Sequence, residues 1–165
     1  MPNIIERFAP LARDYDVLFC DVWGVVHNGV AAFAPACEAL MRFRAGGGTA
    51  ILITNAPRPG TAVERILDRL GVPREAHDAI ISSGDVTRSI VEKRLSDSVF
   101  HLGPQRDRPI FAGLNVAFAP IEAADYVVCS GLFDDTTETP ESYSEMLALM
   151  RARALFMVCA NPDIV

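Results

Sequence analysis

Lysine is almost missing from this chain: Lys93 stands alone against fourteen arginines. Any chemistry that needs a lysine therefore has a single candidate. No Cys-x-x-Cys pair occurs among the four cysteines, Cys20, Cys37, Cys129 and Cys159. That argues against a zinc or dithiol motif. Cys20, Cys129 and Cys159 lie in apolar runs, where cysteine acts as a small hydrophobe, so reduced structural thiols are expected. No basic cluster is present, and the net charge is −6 with a pI near 5.0. That argues against a nucleic-acid partner, which needs a positive patch. A small anion needs only a local positive site. No apolar run approaches the roughly 20 residues of a membrane span. The opening Met-Pro-Asn-Ile-Ile-Glu-Arg-Phe lacks the basic and apolar regions of a signal peptide. The default expectation is a soluble cytoplasmic protein with no membrane partner.

What is present is apolar. Half of the 165 residues are hydrophobic, enough for a substantial core in one domain or slightly more. The most informative stretch is Val17 to Gly29. Four apolar residues run into Asp21, and Gly24 follows shortly after. A buried strand ending at a carboxylate suits a catalytic acid, because open α/β sheets bind ligands at the carboxyl ends of their strands. Asn28-Gly29, flanked by Val25-Val26 and Val30, predicts a two-residue hairpin with both turn residues at φ > 0.

Further strands are expected at Ala50–Ile53, Ala79–Ile81, Val99–Leu102, Tyr126–Cys129 and Leu155–Cys159. Between them the spacing predicts helices. The first begins after Pro35, with Leu40 and Phe43 inward. The next, over 61–70, turns Val63, Ile66, Leu67 and Leu70 inward. One over 85–95 turns Val86, Ile90 and Val91 inward, and a short one follows near 105–113. Another opens at Thr139-Pro140 with Tyr143, Met146, Leu147 and Met150 inward. An outer helix is expected over Ile4–Leu11. Alternating strands and helices indicate a mainly parallel α/β sheet with helices on both faces. Gly46-Gly47-Gly48 has the look of a phosphate loop, but no strand precedes it and no Gly-Lys-Ser/Thr follows. It reads as a helix C-cap and turn.

Two strand tips carry candidate chemistry. Asp21 is a candidate nucleophile for a phosphoryl group; the alternative is an acid that caps a turn. The hydroxyl of Thr54, with backbone N–H groups at Asn55, could bind phosphate oxygens; the alternative is an ordinary strand-end turn.

Taken together, Asp21-Val22-Trp23-Gly24-Val25 and Leu52-Ile53-Thr54-Asn55-Ala56 resemble the first two motifs of the haloacid dehalogenase (HAD) superfamily. The resemblance is to subfamily IIA, the nitrophenylphosphatase-like and nucleotide-sugar-phosphatase-like branch. Ser82-Ser83-Gly84, His101-Leu102-Gly103-Pro104 and Cys159-Ala160-Asn161-Pro162-Asp163 add to it. The resemblance implies a Rossmann-like core over 1–88, with a flap hairpin at about 22–32, and an α/β cap over 89–165. It also implies magnesium-dependent hydrolysis of a small phosphomonoester. Asp21 would be nucleophile and Mg²⁺ ligand, the backbone carbonyl of Trp23 a second ligand, and Thr54, Asn55, Gly24 and His27 the phosphate-binding set. Homo-oligomerisation is left open.

Three departures accompany it. The family places a second Asp, the general acid and base, where this chain has Trp23. An indole cannot protonate a leaving alkoxide; His27 is a substitute only if it does more than shape the flap. The family's lysine has no match, since Lys93 sits on a helix before the cap. The acids that complete the metal site have two decoys, Asp85 and Asp134-Asp135. The expectation is an N-terminal piece of a hydrolase, weak or inactive alone, with the lysine and acid motifs beyond Val165. A rival reading is a binding module that kept the phosphate cradle and lost the acid. A phospho-accepting receiver and a dinucleotide-binding fold rank lower, the latter because no Gly-x-Gly-x-x-Gly follows the first strand.

Overall fold

A computed structural model describes residues 7–162. The chain sorts into two units, and each is discontinuous in sequence. The first holds the described residues up to Thr54 together with Gly60–Ile81. The second holds Asn55–Pro59 and the described residues from Ser82 onward. Of the outer helix expected over Ile4–Leu11, a single turn is formed, α1 (Ala9–Ala12). Residues 4–6 of that expectation, like Asp163, lie outside the described residues.

In the first unit, β1 (Val17–Asp21) pairs in parallel with β2 (Thr49–Thr54), with Val17 opposite Thr49 and Asp21 opposite Ile53. β3 (Ala79–Ser82) follows on the other side of β2. Parallel neighbours need a crossover, usually a helix. Here it is α2 (Ala34–Ala45), which has Pro35 in its first turn and closes at Gly46, whose N–H reaches the Arg42 carbonyl. The glycine triplet is thus the helix end expected from the sequence. α3 (Gly60–Leu70) follows β2. Ala50 and Leu52 are fully buried on one face of the sheet, and Cys37, Leu40, Val63 and Leu67 supply the buried faces of the two helices. Asp78 ties the unit together: one carboxylate oxygen accepts from Ala50 N–H at 2.8 Å and the other takes the Arg44 guanidinium. That guanidinium holds the Asp78 carboxyl below the usual carboxylate range, with the Ala50 bond adding to it.

The opposite face departs from expectation. Val17, Phe19 and Ile53 are 45%, 61% and 41% exposed. Alternate residues of a strand share a face, so Asp21 stands on the same open side as Val17 and Phe19. Helices cover one face of this sheet among the described residues, not both.

The second unit has its own sheet: β4 (Ser98–Leu102), β5 (Ala117–Phe118), β6 (Tyr126–Cys129) and β7 (Phe156–Cys159), ordered β5-β4-β6-β7, every pair parallel. One face packs Val99, Tyr126, Val128 and Val158 against Ile110, Phe111 and Val91 of α4 (Ser83–Glu92). The other packs Leu102 and Val127 against Tyr143 and Met150, the latter from α5 (Ser144–Ala152). Both faces are apolar, which is why these strands read as continuous hydrophobic runs. β5 has no counterpart among the expected strands, because two residues carry no periodicity. The Thr139-Pro140 signal opens a 3-10 turn, Pro140–Tyr143, that leads into α5, and Leu147 is exposed rather than inward.

α4 also differs in phase. Val86 is 55% exposed, and the buried positions are Gly84, Thr87 and Val91. The cause lies at its start. Ser82 and Asp85 form a reciprocal capping box, and the first turn backs onto residues 55–59. Gly84 N–H donates to Ala56 O at 3.2 Å and Ser82 Oγ to Arg58 O at 2.6 Å. A Cβ at position 84 would meet Arg58 backbone atoms at 2.3–2.4 Å. Only glycine permits this approach.

Two measurements test this packing. Gly84→Ala should destabilise the protein by about 1–3 kcal/mol in urea unfolding, because the obstructing atoms are backbone and cannot rotate away. His101 supplies the pH test. Its Nε2 lies 2.9 Å from Ser130 Oγ, its ring meets Phe111 edge-on, and burial, helped by the Arg108 charge, lowers its pKa to about 4. The fold keeps this ring neutral, whereas the unfolded chain protonates it below about pH 6.5. Its contribution is therefore complete above that pH and is lost progressively toward pH 4. Between pH 7.5 and 5.0 the wild type should lose about 2 kcal/mol more than His101→Asn in denaturant titrations.

Candidate functional site

The parallel pairing of β1 and β2 fixes the site. Their carboxyl ends lie at the same edge, so Asp21, the last residue of β1, sits beside Ile53 and one residue short of Thr54. Such an edge is where open α/β sheets hold ligands. Asp21 is exposed, and its Oδ1 accepts from Val22 N–H at 2.7 Å. Thr54 is 7% exposed. A solvent-facing carboxylate and a sheltered hydroxyl thus end neighbouring strands at one edge of the sheet.

The chain then turns sharply over Asp21. Val22 and Val26 are buried and anchor this segment, with Val26 N–H on the Val22 carbonyl at 2.8 Å and Phe33 N–H on the Val26 carbonyl at 2.8 Å. Gly24 has φ +79° and donates to His27 O at 2.8 Å. The expected hairpin is absent: residues 22–32 form turns closed by isolated bridges, Trp23 with His27 and His27 with Ala32. Asn28 is the reason. Its Oδ1 accepts from both Val30 N–H and Ala31 N–H at 2.9 Å, a side-chain turn that replaces the paired-strand turn. Gly29 alone of the Asn28-Gly29 pair adopts positive φ, +86°.

His27 is 7% exposed, and its Nδ1 accepts from Gly29 N–H at 2.9 Å. Burial lowers its pKa, so the ring is neutral with its proton on Nε2. Its imidazole therefore shapes the flap. Trp23 is 66% exposed, and its carbonyl accepts no hydrogen bond among the described residues.

Asn55, next to Thr54 in sequence, clusters with the second unit. Its Nδ2 donates to Asn161 Oδ1 at 3.2 Å. Ser83 Oγ lies 2.7 Å from Asn55 O and 3.0 Å from Ala56 O, and also reaches Ala160 O. A hydroxyl has one proton, so three carbonyls share a single donor. Arg58 is a residue that sequence reasoning misses. Its Nε is 3.3 Å from Asp107 Oδ1, whose side chain is 3% exposed. The only signal in the sequence is a cation between Pro57 and Pro59, close to a strand tip.

The decoy acids have structural work. Asp85 caps α4; Asp134 accepts from Thr136 N–H and Oγ1; Asp135 pairs with Arg106 at 2.8 Å. Lys93 is the C-cap of α4. All four cysteines are unpaired. Among the described residues, no three His, Cys, Asp or Glu side chains gather as a metal site, and no helix is long and apolar enough to cross a membrane.

Comparison with known proteins agrees with this fold. A family profile described as haloacid dehalogenase-like hydrolase matches residues 18–117. No curated protein matches the chain. Among solved structures, the chain is similar to a haloacid dehalogenase-like hydrolase from Brucella suis 1330, with 49% identity and a TM-score of 0.90, covering 98% of this chain and 62% of that one. It is also similar to a 4-nitrophenylphosphatase from Thermotoga maritima (23% identity, TM-score 0.68, 93% of this chain and 57% of that one). A third is a glycerol phosphate phosphatase from Mycobacterium tuberculosis in complex with magnesium (23% identity, TM-score 0.64, 92% and 46%). At these lower identities the likeness is one of fold. The chain spans less than two thirds of each of these structures. On the profile match, the 49% identity and the shared fold, the chain belongs to the haloacid dehalogenase-like hydrolases.

Proposed function

We propose that this chain carries the nucleophile and phosphate-holding half of a magnesium-dependent phosphatase acting on a small phosphorylated metabolite. The observation that carries the reading is the register that sets Asp21 beside the Thr54 end of β2. In this reading the core is residues 1–88 and the cap 89–165, a boundary that cuts α4, whereas α4 as a whole clusters with the second unit. Asp21 attacks phosphorus, the leaving oxygen departs, and an aspartyl-phosphate remains for water to hydrolyse. Thr54 Oγ1 and the backbone N–H at Asn55 hold the non-bridging oxygens, and Gly24, whose N–H donates to His27 O, sets the turn beside them. His27, neutral and tied to Gly29, keeps the flap in shape over them.

Magnesium takes oxygen donors, commonly one or two carboxylates with water and phosphate. The Asp21 carboxylate and the Trp23 carbonyl fit as part of such a set. The ion would screen the repulsion between carboxylate and phosphate. A cytoplasmic location is part of this reading, because unpaired cysteines persist where thiols stay reduced.

One observation favours a second reading, a phosphate-binding protein without turnover: an exposed indole stands where the acid–base partner belongs.

Two experiments on the complete gene product separate them. Magnesium-dependent hydrolysis of p-nitrophenyl phosphate should fall by roughly 10³-fold or more in Asp21→Asn. Activity that survives this change would sink the nucleophile assignment; no hydrolysis by the wild type, with phosphate binding retained in calorimetry, would favour the second reading. Trp23→Asp should raise hydrolysis of an alkyl phosphate by roughly 10²-fold and of p-nitrophenyl phosphate much less, since only the alkoxide needs a proton to leave.

A further inference from the structure

Cys129 and Cys159 end adjacent parallel strands and are direct partners in the β6–β7 register. Partners in a ladder project to the same face. Strands lie about 4.8 Å apart, inside the range of about 4.4–6.8 Å that a disulfide spans between Cα atoms. The surroundings of the two differ. Cys129 is half-buried beside the cluster around Leu102 and Val127. Burial pushes its thiol up, and the neighbouring Cys159 adds to the rise. Cys159 is exposed, and its S–H donates to the Asn161 carbonyl at 3.3 Å. Packing as a small hydrophobe accounts for Cys129 but not for a solvent-facing cysteine at the open end of a strand.

We propose that Cys129 and Cys159 form a vicinal dithiol that low-molecular-weight disulfides convert reversibly into an intramolecular disulfide. The exposed partner reacts first. Cys159 thiolate attacks one sulfur of the small disulfide, the S–S bond breaks, and one thiolate leaves. Cys129 thiolate then attacks Cys159 Sγ and expels the second thiolate. Two protein thiols are oxidised, and one small disulfide is reduced to two thiols. The Cys159 sulfur gives up its bond to Asn161 in closing. Asn161 is the residue whose side chain accepts from Asn55, so the switch lies two residues from a group that holds the segment after Thr54.

Cys20 and Cys37 provide an internal control. They are near enough for Cys37 to contribute to the raised pKa of Cys20, but Cys37 is 2% exposed within α2. A small disulfide cannot reach it.

The test is peptide mapping of the folded protein after incubation with oxidised glutathione at neutral pH, with remaining thiols alkylated and digestion done without reduction. The expected product is a Cys129–Cys159 linked peptide with Cys20 and Cys37 alkylated, returning to four alkylated thiols after dithiothreitol. Cys129→Ser should stop at a glutathione adduct on Cys159, and Cys159→Ser should leave Cys129 unmodified. Circular dichroism verifies that each variant folds; where one does not, the wild-type map decides alone. A stable adduct on wild-type Cys159 without a link, a link to Cys20 or Cys37, or four unreacted thiols would each overturn the proposal.

Discussion

Parallel pairing of β1 with β2 is the constraint on which the candidate chemistry rests. It requires a helical crossover, α2, and leaves an exposed polar edge where both strands end. In return it brings the ends of two strands from distant parts of the sequence to one edge, with Asp21 beside Ile53 and one residue short of Thr54. Nothing in the local sequence around Asp21 requires Thr54 to be near. Register supplies it, by setting the last residue of β1 one position short of the last residue of β2. The carboxylate shared by Arg44 and the Ala50 N–H pins β2 at its start.

The flap over Asp21 is built from hydrogen bonds more than from packing. Val22 and Val26 anchor it, while Asn28 and His27 use their side chains to satisfy backbone N–H groups. A neutral imidazole suits this role because its Nδ1 must accept. Trp23, by contrast, leaves most of its apolar surface to solvent. Its exposure and its position next to the nucleophile make it the residue on which the two functional readings divide.

Much of this was legible in the sequence. Strands announce themselves as apolar runs, so β1, β2, β4, β6 and β7 are recognisable within a residue or two. The capping signals at Pro35 and Thr139 mark true beginnings. The errors have physical causes. Asn28-Gly29 signals a hairpin when the backbone alone makes the turn, yet here the asparagine side chain makes it. In α4 the apolar pattern points to Val86, whereas the buried stripe runs through Gly84 and Thr87, and at Gly84 the approach of Arg58 leaves no room for a Cβ. Of the candidate residues, Asp21 and Thr54 stand out because strand tips are readable. Ser83 and Asp107 could not be given their roles, since what they hold lies 27 to 77 residues away. The exposed face of the first sheet was equally hidden, because an apolar run looks the same whether one side or both are covered.

The division of the chain between its two units also bears on how the protein can be taken apart. The break between the units falls inside Leu52-Ile53-Thr54-Asn55-Ala56, and the chain returns to the first unit at Gly60. A fragment ending at Ile81 would keep the loop 55–59 and lose Ser82, Ser83 and Asp107, which satisfy its carbonyls and its guanidinium. A fragment starting at Ser82 would keep those partners without the loop, Ser83 retaining only its contact with Ala160 O. No single cut yields two self-sufficient pieces, so dissection by truncation would register the loss of this loop as though it were the loss of a domain.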